Sequence, residues 1–149
     1  MLLREICTPD VVHCTPDTTA LGLARLMRER HVGDVVVIEG DDSDQTPIGL
    51  VTDRDIVVEV LARERDPAAI CAREIMRKPL VIARATEDAS QAVERMKAHG
   101  VRRIPVMDDQ RRLAGIVCLD DLLRQLAAEA GALAAIISRE QDREHRGRR

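Results

Sequence analysis

Residues Gly49-Leu50-Val51-Thr52-Asp53-Arg54-Asp55-Ile56 settle how this chain is read, because Gly115-Ile116-Val117-Cys118-Leu119-Asp120-Asp121-Leu122 repeat them. In each stretch an apolar run hands over to polar residues, and the apolar pattern then resumes. Gly49 answers Gly115, Val51 answers Val117, Asp55 answers Asp121 and Ile56 answers Leu122, at a constant offset of 66 residues. Upstream the offset is 69: Val11-Val12 align with Leu80-Val81, Ala20 with Ala89, Met27 with Met96, Val32 with Val101 and Val37 with Val106. The chain is a duplication, and the second copy has the shorter internal loop.

Both copies follow one plan. A short extended piece, Val11–Cys14 or Leu80–Ala83, precedes a helix start at Thr15–Thr18 or Ala85–Asp88. Those residues supply N-cap oxygens and early acids that suit the helix dipole. Ala20, Leu23, Ala24 and Met27, like Ala89, Ala92, Val93 and Met96, recur at helical spacing. Two strands follow in each copy, residues 35–39 with 47–52 and 103–108 with 113–118, joined by turn-rich loops. A second helix begins near Arg54 or Asp120. One unit of about 60 residues is marginal alone. Two copies packed sheet to sheet about a pseudo-two-fold axis share a core.

The predicted fold class is α+β, two tandem β-α-β-β-α units over residues 1–64 and 74–128, with a linker at 65–73 and an extension at 129–149. A short helix is expected near 68–74 and a final one over 122–137. The tail, residues 138–149, has no apolar periodicity and is expected to be frayed or disordered.

Composition narrows the function classes. Of 149 residues, 33% are charged with both signs mixed, and the net charge is −3, so the basic footprint of a nucleic-acid binder is missing. Phe, Tyr and Trp are absent, which leaves an aliphatic core and no ring on which a base could stack. Residues 1–10 do not read as a signal peptide, and no apolar run is long enough to span a bilayer, so no membrane is expected and the expected location is cytoplasmic. Cys7, Cys14, Cys71 and Cys118 form no CxxC pair and read as reduced thiols. His13, His31, His99 and His145 are scattered, so no metal site is expected. His13 and Cys14, adjacent on a strand, point to opposite faces and do not form a catalytic pair. No catalytic activity is expected.

At these residues the chain resembles a tandem pair of CBS domains, or Bateman module, over roughly residues 1–128. The markers are the stretch 49–56, its echo at 115–122, and Met96–Asp108, in duplicated order. The resemblance implies a regulatory module with no catalysis and no required cofactor. It binds AMP, ADP, ATP or S-adenosylmethionine between its domains, forms a homodimer and controls another protein. No controlled domain is attached, which implies a free-standing pair acting on an unknown partner.

The same resemblance implies the site. Asp55 would accept the ribose hydroxyls and Thr52 would support the sugar or phosphate, at a helix start whose free N–H groups favour an anion. Asp53 belongs to the same run, and Arg54 could reach a phosphate. Arg102 and Arg103, before the strand Ile104-Pro105-Val106, would add guanidinium contacts. Backbone groups at His13-Cys14 and Ile82-Ala83 would meet the adenine edge, flanked by Val32, Val35 and Ile104. In the second copy Asp121 is kept, but Cys118 stands in place of Thr52 and Asp120 adds negative charge, which predicts a weaker or empty cleft. The plain alternative is that Thr52 caps the helix, with Asp53 and Asp55 in its first turn. A second function class is a ligand-free dimeric scaffold that docks through its last helix.

Overall fold

The computed structural model describes residues 1–41 and 43–147. Asp42, in the expected acidic loop, and the tail residues Arg148 and Arg149 lie outside the described residues. The chain runs through α1 (Leu3–Ile6), β1 (His13–Cys14), α2 (Ala20–Arg30), β2 (Asp34–Glu39), β3 (Thr46–Thr52) and α3 (Asp53–Ile56), which continues as a π-helical turn over Val57–Leu61. The second half repeats it: α4 (Ala72–Ile75), β4 (Ala83–Arg84), α5 (Ala89–His99), β5 (Arg103–Met107), β6 (Leu113–Cys118) and α6 (Leu119–Gly147).

Each copy forms a three-stranded sheet, ordered β1-β2-β3 or β4-β5-β6. The first strand is parallel to the second, and the third antiparallel to it. Both central pairs slip register at matching places, Val37/Ile38 and Val106/Met107. β2 is apolar without alternation because both its faces are covered. Val35 and Val37 join the helix-covered core with Leu23, Met27 and Val51. Val36 and Ile38 point the other way, into a core shared with Leu50 and Ile116. That shared core is the sheet-to-sheet packing about a pseudo-two-fold axis expected from the repeat.

The leading helices are exchanged between the copies. α1 precedes the first copy but lies on the second, where Leu3 is fully buried with Ile104, Val106 and Val117. Thr8 and Ile116 exchange backbone hydrogen bonds of 2.9 and 3.0 Å. α4 precedes the second copy but lies on the first, with Ala72 N–H donating to Thr18 O at 2.8 Å and Arg77 N–H to Leu50 O at 3.1 Å. The glycines of the two repeated stretches permit this. A Cβ on Gly49 would stand 2.3 Å from Met76 Sδ, and one on Gly115 would stand 2.6 Å from Cys7 Sγ.

Three expectations are corrected. The tail is not frayed through residue 147, because α6 runs unbroken to Gly147. Extending a helix that is already nucleated needs no apolar face, and Arg, Glu and Gln favour it. The linker helix lies at Ala72–Ile75 rather than 68–74, and the last helix begins at Leu119, beside the expected Asp120, but runs past residue 137. α1 was not expected at all.

Candidate functional site

The site is built at the strand-to-helix corner of the first copy. Thr52 ends β3 in extended conformation and caps α3: its Oγ1 accepts from Asp55 N–H at 3.2 Å, and Asp55 Oδ2 accepts from Thr52 N–H at 2.8 Å. Asp53 N–H donates to Gly33 O at 3.0 Å, and Arg54 N–H donates to Asp53 Oδ1 at 2.8 Å. The plain capping role is thus present. The N–H groups of residues 53–55 are already satisfied, so positive charge at this corner comes from guanidinium groups rather than from free amides.

Those guanidiniums converge from both copies. A cavity of about 260 Å³ is lined by Thr52, Asp53 and Arg54 of the first copy and by Gly100, Val101, Arg102 and Arg103 of the second, with Leu50 and Arg77. This lies just below the range of roughly 300–1,000 Å³ for small-molecule sites. Asp55 stands behind the wall, 8% exposed, and its Oδ1 accepts from Arg77 Nε at 3.2 Å. Arg77 was missed in the sequence. Its signal was the 69-residue offset, which aligns it with Thr8 beside the matching corner of the second copy. Among the described residues no ion pair engages Arg54. Arg102 reaches Asp120 only loosely, 3.7 Å apart on the surface. Arg103 forms an ion pair with Asp34, its Nε 2.8 Å from Oδ1. Burial pushes the Asp34 carboxyl above its usual range, with Arg103 opposing and Asp53 adding to the rise.

The corner of the second copy keeps the backbone and changes the charge. Leu119 N–H donates to Arg102 O at 2.8 Å, and Asp121 Oδ2 accepts from Cys118 N–H at 3.0 Å. The other Asp121 oxygen accepts from Arg124 at 3.2 Å. Arg102 and Arg103 also wall the small cavity of about 120 Å³ beside Cys118, Leu119 and Asp120. Burial first, then the charges of Asp121 and Asp34, push the Cys118 thiol up to about 11.

Thr52, Asp53, Arg54, Arg102 and Arg103 are thus brought together, with Asp55 directly behind them. Other candidates are placed elsewhere. Cys14 and Val35 are buried in the first core, Ile104 and Pro105 are fully buried in the second sheet, and Val32 packs against the first core. His13 is exposed, its Nδ1 3.0 Å from Val11 O. Ile82 and Ala83 line a different cavity, of about 580 Å³, with Arg84, Glu87 and Arg95. Among the described residues no group of three His, Cys, Asp or Glu side chains is placed to hold a metal ion, and no helix is long and apolar enough to cross a membrane.

A family model for the CBS domain matches the chain twice, over residues 3–62 and 72–128. An uncharacterized protein of Methanopyrus kandleri is 36% identical over 120 residues, which are 80% of this chain but only 60% of that protein. Hypoxic response protein 1 of Mycobacterium tuberculosis is 33% identical over 127 residues, 85% of this chain and 86% of that one. The crystal structure of Hypoxic Response Protein I with two coordinated zinc ions matches with a TM-score of 0.72 at 32% identity, covering 83% of this chain and 98% of that one. The CBS domain pair of protein MJ0100, in complex with 5-methylthioadenosine and S-adenosyl-L-methionine, matches with a TM-score of 0.74 over 87% of this chain and 98% of that one. At 21% identity that likeness is one of fold.

Proposed function

The chain belongs to the CBS-domain family as a tandem pair, and from that premise we propose that it is a regulatory adenine-nucleotide-binding protein that senses energy state and modulates a partner without catalysis. The observation that carries the reading is the first cleft, where Thr52 and Arg54 of one copy face Arg102 and Arg103 of the other. Four guanidiniums, with Arg77, suit a polyphosphate, since planar donors grip phosphate oxygens in pairs. Asp55 is the carboxylate for the ribose diol. Arg77 would leave it for a phosphate, and each carboxylate oxygen can accept a further hydrogen bond. The base would rest on aliphatic Leu50 and Val101. AMP, ADP, ATP and S-adenosylmethionine are the candidate ligands. MJ0100 carries adenosyl ligands on the same fold. Free thiols suit the cytoplasm. A homodimer is the expected assembly.

Calorimetric titration with each of the four ligands tests this. Micromolar binding of an adenine nucleotide, one per chain and lost in Asp55→Ala, supports it. Silence with all four overturns it. A specific observation favours a second reading, a ligand-free scaffold. Leu123, Leu126, Leu133, Ile136 and Ile137 of α6 are each more than half exposed. That reading requires silence in the titration and a partner whose capture is lost when residues after Leu126 are removed.

A further inference from the structure

Asp34 and Arg103 occupy the same position in the two copies, 69 residues apart, and they touch. Equivalent residues related by a two-fold axis meet only beside that axis, so this pair sits between the two clefts. In register, Asp34 lies opposite Thr52 and Arg103 opposite Cys118. Arg103 therefore belongs by its strand to the second corner, yet its side chain also walls the first cleft. Its Nε is held 2.8 Å from Asp34 Oδ1, and the Asp34 side chain is only 15% exposed. Asp53, at the head of α3, and Cys118, at the end of β6, are the other titratable groups that face this carboxylate. Among the described residues Arg103 is the cation paired with Asp34 against them.

Resting on the nucleotide reading above, we propose that Asp34 is an internal competitor for Arg103: it occupies the guanidinium that a phosphate in the first cleft would need, and so sets the affinity of that cleft for anions. A phosphate that takes Arg103 leaves a half-buried carboxylate beside Asp53. A carboxylate that loses its cation in such a place binds a proton more readily. Anion binding is therefore coupled to proton uptake at Asp34 and strengthens as pH falls. The coupling also reaches the second corner, because Asp34 and Arg103 both face Cys118. Discrimination between charged and uncharged adenosyl ligands thus depends on an acid that need not touch the ligand.

The test uses the full chain, ATP as the charged probe and adenosine as the uncharged one, with thermal unfolding of every variant as a check of folding. Asp34→Asn keeps the shape and removes the competing charge. It is expected to bind ATP about tenfold more tightly than wild type, about 1.4 kcal/mol, and to bind adenosine within roughly twofold of wild type. Arg103→Gln weakens ATP binding, and adding Asp34→Asn to it gives no gain. Titrations near about pH 6 in two buffers of different ionisation enthalpy show proton uptake with ATP in wild type and little in Asp34→Asn. Equal ATP affinity in wild type and Asp34→Asn overturns the competition while leaving the nucleotide reading standing. A gain that persists without Arg103 also overturns it. ATP binding by neither protein overturns both.

Discussion

At the first corner stand Thr52-Asp53-Arg54-Asp55, and at the second Cys118-Leu119-Asp120-Asp121, on backbones that correspond bond for bond. Asp53 and Leu119 donate to the carbonyls of Gly33 and Arg102, at 3.0 and 2.8 Å. Asp55 and Asp121 accept from the N–H three residues before them, at 2.8 and 3.0 Å. The side chains at the corner differ. The first corner presents Arg54 toward Arg102 and Arg103, while the matching positions of the second are Asp120, Gly33 and Asp34. The difference teaches that the duplicated element is a scaffold of apolar strands, glycine contacts and capping carboxylates. The positions that the scaffold leaves free differ in charge, and on the proposed reading that charge separates an anion cleft from an acidic one.

The largest effect expected from breaking the comparison comes from the exchanged helices. Leu3 and Ala72 hold the same place, each on the other copy's core, and both are fully buried. Leu3→Ala makes the two alike and leaves a cavity above Ile104 and Val117. A loss of roughly 2–5 kcal/mol is expected in urea unfolding, with the second copy losing amide protection first in hydrogen exchange. A loss below about 1 kcal/mol would mean that α1 is not the lid described here.

The repeat, the strands and the corner were legible in the sequence, because periodicity and capping chemistry are local and each was written twice. The exchange of α1 and α4 was not. Each helix has four residues, too few for a periodic signal, and which sheet it lies on is decided by tertiary packing. The cleft was half legible for the same reason. Thr52, Arg54, Arg102 and Arg103 announced themselves by motif, but Arg77 enters from the segment that follows α4. The pairing of Arg103 with Asp34 follows only from knowing that the axis passes between them. Val35, Ile104 and Cys14 matched ligand-wall positions by resemblance, yet sit in sealed cores, since alternate residues of a strand face opposite ways.

A middle effect separates the two capping carboxylates. Asp55→Ala leaves the part-buried Thr52 N–H and the Arg77 guanidinium without their acceptor, and should cost about 1–3 kcal/mol in urea unfolding. Asp121→Ala removes the acceptor of Cys118 N–H and a surface contact to Arg124, and should cost roughly 0.5–2 kcal/mol. Nucleotide affinity is expected to collapse in the first variant and to stay within about twofold in the second. Equal losses of affinity would mean that both clefts bind, and the charge argument would fail.

The smallest effect sharpens the comparison by restoring one atom. Cys118→Thr supplies the second corner with a hydroxyl able to accept from the N–H of Asp121, as Thr52 accepts from Asp55 at 3.2 Å. A gain of about 0.5–1 kcal/mol in urea unfolding is expected, because sulfur is a weak acceptor and Thr a favoured cap. The unmodified thiol gives an independent check on the local charge. With its pKa raised to about 11 by burial and by Asp121 and Asp34, Cys118 carries little thiolate at neutral pH. Alkylation by iodoacetamide at about pH 8 should run roughly two hundredfold slower than for an ordinary cysteine with a pKa near 8.5, and should speed up tenfold for each unit the pH rises until about 11. Asp34→Asn removes one of the charges holding the thiol protonated and should quicken that reaction. If Cys118 reacts like a free thiol, the negative field assigned to the second corner is absent, and loss of the cap alone must account for its difference from the first. Restoring the hydroxyl does not restore Arg54, so the single variant is still expected to bind one nucleotide per chain. A second nucleotide is expected only when Asp120→Arg accompanies Cys118→Thr, and calorimetric stoichiometry separates the contribution of the cap from that of the charge.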